Sequence, residues 1–205
     1  MEWDCREISS QQFVGRMFFT CCKLPHKITN RIPHQDSSAA ALKTQFLVYG
    51  GSTKDTLALN ELVLVETSRQ NKFSAKTLVT TSASAKQLPE ARQKHAWCVI
   101  KSGSPATHTH SDQHQTSPQQ DDDQQQQQAA NEELKILMFG GRNAANAPLN
   151  DLWLLRIKPT GSAETPLACT WEKIEQTKCP SARSGHTMVC ASTDTQKKVY
   201  VVLVS

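Results

Sequence analysis

The sequence predicts an all-β chain assembled from repeated four-stranded antiparallel units. Three observations predict it. Short apolar, β-branched runs alternate with Gly, Pro, Asn and Asp along most of the chain. Two strand-and-glycine segments match one another, FLVYGG at 46–51 and ILMFGG at 136–141. After a polar loop, each is followed by a second matched run, LNELVLV at 59–65 and LNDLWLL at 149–155. Self-similarity at a fixed period marks an architecture in which one supersecondary unit is stacked repeatedly.

Each unit is read in chain order as follows. Its first strand covers 94–100 in one copy and 185–191 in the other, entered through PEARQKHAWCV at 89–99 and PSARSGHTMV at 180–189. There Arg92 aligns with Arg183 and His95 with His186. The second strand ends at the double glycines Gly50–Gly51 and Gly140–Gly141. One glycine is expected to need positive φ, and the other to let a neighbouring backbone or side chain approach. The third strand carries 61–65 and 151–157, and the fourth an aromatic, Phe73 or Trp171. The N-terminus repeats these elements faintly, with Trp3 resembling Trp171 and GRMFFTCC at 15–22 resembling RSGHTMVC. KVYVVLV at 198–204 stands in the place of another second strand, without its glycines. Four-stranded antiparallel sheets at this period are the signature of β-propeller blades.

Residues 102–133 break the pattern. The segment has no Val, Ile, Leu, Met, Phe, Tyr or Trp and holds the runs Asp121–Asp123 and Gln124–Gln128. Nothing in it offsets the entropy of ordering, so it is expected to be a disordered low-complexity insertion in a loop of the second blade. His108, His110 and His114 near Asp112 are a weak candidate for a divalent metal, and compositional drift in a tolerant loop is the favoured reading. With the insertion set aside, the 90-residue spacing from Gly51 to Gly141 falls to 58.

The run GG, then N-[DE]-L, then an aromatic strand, then P-x-A-R-x-x-H resembles the kelch repeat family. The resemblance covers 46–205 and, more faintly, the N-terminus. It implies a kelch-type propeller of about two complete four-stranded blades plus flanking strands, an incomplete ring over residues 1–205. A fragment, an oligomer completing the ring, and a partner-dependent half are all compatible with that count. Exposed strand edges, 198–204 above all, would invite self-association.

The resemblance also implies a recognition scaffold that binds a protein or peptide through loops on one face. Those loops are 52–58, 142–148, 86–93 and 178–184. Lys54, Arg142 and Asn143 are the expected partner contacts, suited to an acidic partner; ordinary loop polarity is the competing reading. On this reading Arg142→Ala weakens binding and leaves the melting temperature unchanged. Gly50, Gly51, Arg92, Gly140, Gly141, Trp171 and Arg183 are expected to be structural repeat positions, the arginines satisfying loop carbonyls. His95 and His186 are expected to be satisfied core histidines. An alternative is a fragment of a larger kelch protein serving as a ubiquitin-ligase substrate adaptor, though no adaptor domain is visible before Phe46.

No enzyme, cofactor or metal is expected. Copper-radical kelch oxidases need a cross-linked tyrosine and further ligands, and the only tyrosines are Tyr49 and Tyr200, both in expected strands. No G-x-S-x-G, Walker loop or H-E-x-x-H occurs. Lys+Arg 23 against Asp+Glu 19 gives +4, too mild for nucleic acid. No apolar run reaches the roughly 18 residues of a membrane helix. Seven cysteines without a C-x-x-C pair point to free thiols in a reducing compartment, the cytoplasm or the nucleus.

Overall fold

The computed structural model describes residues 16–25, 28, 44–67, 73–84, 87–100, 133–162, 164–193 and 198–204, with side chains as far as 190. The strand expected around Trp3 and almost all of the 102–133 insertion, with its histidines, lie outside them. Glu133, the last residue of that segment, is described and half-buried, pairing with Arg156 at 3.1 Å beside the following strand.

The described chain is all-β, with eleven strands in three sheets. The first sheet is β1 (Thr20–Lys23), β2 (Thr44–Tyr49), β3 (Leu62–Thr67) and β4 (Phe73–Leu78), adjacent in sequence order and antiparallel throughout. The second contains β6 (Ala96–Ile100), β7 (Leu134–Phe139), β8 (Leu152–Pro159) and β9 (Leu167–Ile174) in the same arrangement. β10 (Thr187–Thr193) and β11 (Lys198–Val204) form an antiparallel pair. The registers repeat: Thr20, Tyr49, Leu62 and Leu78 lie in one cross-strand row, as do Ala96, Phe139, Leu152 and Ile174.

Two features depart from the sequence reading. β5 (Thr80–Ser82) leaves the first sheet and joins the second as a fifth strand, parallel to β9. The register also shifts the expected aromatic repeat. Val65 faces Ala75 and Leu155 faces Trp171, so the counterpart of Trp171 is Ala75 rather than Phe73. Trp171 is large because it fills the space against Tyr49 of the first sheet, with ring centroids 5.0 Å apart.

Side-chain alternation gives each strand two faces. Leu47, Tyr49, Leu62 and Leu64 of the first sheet share one buried cluster with Trp97, Ile136, Met138, Trp153, Leu155 and Trp171 of the second. Val48, Val63, Val65 and Ala75 form a separate cluster on the other face of the first sheet, with Phe46 against it. Met188 of β10 belongs to the large cluster, so one core ties all three sheets together.

Candidate functional site

The loops that would carry binding are held by a joint built twice. At the end of β2, Gly50 and Gly51 have φ of 61° and 94°; at the end of β7, Gly140 and Gly141 have 63° and 101°. All four positions are left-handed, and all four are also close approaches. A Cβ on Gly50 would lie 2.6 Å from the Arg92 carbonyl oxygen, and one on Gly140 2.6 Å from that of Arg183. The expected division of labour between the two glycines is therefore not kept, since each meets both demands. The crowding is purposeful: Gly51 N–H donates to Arg92 O and Gly141 N–H to Arg183 O, each at 2.9 Å. Arg92 N–H returns a bond to Leu59 O, and Arg183 N–H to Leu149 O.

Arg92 is fully buried and spends its guanidinium on this joint. It donates to the Glu90 and Gly140 carbonyls, both at 3.0 Å, and grips both carboxylate oxygens of Asp151 at 2.7 Å. Trp153 Nε1 donates to the same carboxylate. Burial opposes ionisation of Asp151, but the hydrogen bonds and charge of Arg92 outweigh it and hold the carboxyl below its usual range. The sequence reading anticipated the carbonyls and missed the carboxylate. It also missed Arg16, the third arginine of the series, whose guanidinium donates to Gly50 O and pairs with Glu61. The repeated acid of N-[DE]-L, 11 residues beyond the first glycine in both units, was the available signal.

The two histidines differ. His95 Nε2 shares a 2.7 Å hydrogen bond with Thr20 Oγ1, while its Nδ1 is buried without a partner. His186 packs edge-on to Phe139, and neither of its ring nitrogens completes a hydrogen bond of normal geometry. The expectation of a satisfied histidine thus describes half of His95 and none of His186. The reason is positional: Ala96 stands at the register position of Thr20 and has no hydroxyl to offer. Burial first, then the charge of Arg92, lowers His95 to about 3.

The expected contact residues fall on the loops after the glycines. Lys54 is exposed, and among the described residues it makes no hydrogen bond or ion pair. Its loop is shaped by Thr53, whose Oγ1 accepts from Thr56 N–H at 2.9 Å, and it exposes Leu57. Arg142 is half-buried and engaged internally, donating to Ser184 Oγ at 2.9 Å and Asn146 O at 2.8 Å. Asn143 is half-buried too, donating to Glu90 Oε1 at 3.0 Å and accepting from Ala147 N–H at 2.9 Å. The structure thus brings Arg142 and Asn143 together with Glu90 and Ser184, uniting loops 142–148, 86–93 and 178–184. Lys54 sits on the equivalent loop of the first sheet.

Among the described residues no group of three or more His, Cys, Asp or Glu is placed to hold a metal, and no helix is long and apolar enough to cross a membrane. Six cysteines are described, all as free thiols. A groove of about 230 Å³ lies between β4 and β9, lined by Leu78, Val79, Thr81 and Pro166 among others. It holds none of the joint residues or expected contact residues. Comparison of the chain with protein-family models and with curated proteins finds no match to either.

Proposed function

We propose that the sheets are blades of a kelch-type β-propeller and that the chain is a protein-interaction module. It binds a protein or peptide partner through the loops that follow the double glycines and those that precede the histidine-bearing strands. The observation that carries this reading is the joint itself, built twice from the same backbone bonds. A rigid, repeated joint of buried arginine, carboxylate and glycines is a scaffold device, and it presents variable loops on one side. Recognition is by shape and charge, without covalent chemistry. Lys54 and the neighbouring exposed Leu57 supply a cation and an apolar contact suited to an acidic peptide. Arg142 and Asn143 contribute the outward parts of a loop that they also hold in shape.

The test is selection of peptides against the full chain from a displayed random library, followed by affinity measurement on single loop variants. Selected peptides should be rich in Asp and Glu. Lys54→Glu should weaken them about tenfold or more, with an unchanged melting temperature. Peptides that bind Lys54→Glu and Leu57→Ser as tightly as the parent would place binding elsewhere.

A further inference from the structure

Cys98 and Cys190 come from different places in the repeat. Thr20, Ala96 and Thr187 are equivalent by register, each facing the last residue of the strand beside it. Counted from them, Cys22, Cys98 and Val189 share one position, and Lys23, Val99 and Cys190 share the next. A difference of one residue puts Cys98 and Cys190 on opposite faces of their strands. Between stacked sheets, opposite faces are the ones that meet.

Neighbouring side chains show which faces these are. Trp97 is turned to the first sheet, where its Nε1 donates to Cys21 O at 3.2 Å and its ring stacks on Tyr49. Cys98, next along β6, is therefore turned to the third sheet. In β10, Met188 lies in the shared core and Val189 is 53% exposed. Cys190 is on the Met188 side, packed against the core and turned to the second sheet. β6 and β10 are the strands that bring these two sheets together. The thiols are neighbours there: burial first, then Cys190, pushes the Cys98 thiol up to about 12. At the joint of the first and second sheets the same two places hold Cys22 and Val99, a single thiol.

We propose that Cys98 and Cys190 are an oxidation site, at which hydrogen peroxide closes a disulfide between the second and third sheets. Cys190 is half-buried and Cys98 only 9% exposed, so the oxidant meets Cys190 first. The Cys190 thiolate attacks peroxide, gains one oxygen as the sulfenic acid and releases hydroxide. Its negative charge, which opposed ionisation of Cys98, is then gone. The Cys98 thiolate attacks the Cys190 sulfur, forms the S–S bond and expels the sulfenic oxygen as hydroxide. Both hydroxides take up the protons lost by the thiols, so two thiols and one peroxide become one disulfide and two waters. The bond ties β10 to β6 at the joint where His186 lacks the hydrogen bond that Thr20 gives His95. A disulfide of this kind in a reducing compartment is transient, opened again by a thiol reductant.

The test begins with the full chain, reduced, treated with hydrogen peroxide and blocked with an alkylating agent. Digestion without reductant and mass spectrometry then map its linkages. The expected product is a Cys98 peptide joined to a Cys190 peptide within one chain, absent after dithiothreitol. The melting temperature should rise by about 5 °C or more on oxidation and return on reduction. Mapping needs no change in the protein, and a melt in reductant shows that Cys98→Ala is folded. In that variant a sulfenic-acid probe should label Cys190, and peroxide should no longer raise the melting temperature. Linkage of either cysteine to a different one overturns the proposal. So does a Cys190 that passes to the sulfinic acid unlinked while Cys98 stays a thiol, or a Cys98→Ala chain that peroxide still stabilises. Peptide binding by the loops does not enter any of these readouts, so this result and that of the loop-face reading are separable.

Discussion

Tyr49 and Phe139 occupy the same register position in the two sheets and differ by one hydroxyl. That hydroxyl is buried without a partner, and burial pushes its ionisation up. An unsatisfied buried donor costs about 1–3 kcal/mol, whereas its removal at constant shape costs little. Tyr49→Phe should therefore leave the melting temperature unchanged or raise it; a fall of several degrees would reveal a partner for the hydroxyl. His95 makes a pH prediction. Its folded value near 3 lies below the ordinary 6.5, so between those limits the unfolded chain takes up a proton that the folded chain refuses. Stability is complete above about pH 6.5 and declines as pH falls toward 3. His186 is lowered by burial and then by Arg183, and adds in the same direction. Asp151, held below 3.8, contributes only at the acid end. The groups facing His95 electrostatically are Arg92 and His186, with Thr20 at its Nε2. Melts from pH 7.5 to 4.5 should fall steadily for the parent and less steeply for His95→Phe, a substitution with a precedent in Phe19 at the same place in the first unit. An identical slope in both would show that His95 takes up its proton as readily in the folded chain as in the unfolded one.

At the scale of elements, the double-glycine corner and its arginine are one device with two strengths. Both arginines are buried, and the pairs differ in the acid: Asp151 is mostly buried, whereas Glu61 is about half exposed at 48%. Removing one partner of a buried pair costs about 3–5 kcal/mol, while exposed pairs contribute about 1 or less. Asp151→Asn should thus lower denaturant stability far more than Glu61→Gln, and equal losses would mean that burial does not set the strength of the joint. Arg142 belongs to the same argument. The sequence suggested a free contact residue, but its two internal bonds tie the loop at 142–148 to Ser184. Arg142→Ala should now cost about 1–2 kcal/mol of stability as well as affinity, and a thermal melt distinguishes this from the purely binding loss first expected. β5 shows where local reading stops. Thr80–Ser82 is short, polar and without alternation, and its parallel partner Cys169–Trp171 lies far along the chain. No periodicity announces such a pairing.

Across the whole molecule, what could be read from sequence was whatever repeats with backbone consequence. The double glycines, the second and third strands and the arginine–histidine run recur because each copy must make the same bonds. Side chains that answer to a neighbour rather than to the repeat were not legible. Trp171 was aligned with Phe73 because both are aromatic, yet its size is set by Tyr49 across the joint. Arg16 was hidden because Phe19 replaces the histidine that flags its counterparts. The loops after the double glycines are the least readable part, since loop residues are freed from the repeat. The same logic makes the two joints between sheets unequal. The joint between the first and second sheets has the stack of Tyr49 with Trp97, the contact of Tyr49 with Trp171, and the Thr20–His95 bond. The joint between the second and third has Met188 in the core and His186 against Phe139, with no side-chain hydrogen bond to the histidine. Amide hydrogen exchange should therefore find β10 and β11 opening at lower free energy than β2, β3, β7 and β8. Ala96→Thr would place at the second joint the hydroxyl that Thr20 supplies at the first. It should slow exchange in β10 selectively; slowing spread evenly over all the sheets would mean that the three sheets open as one unit.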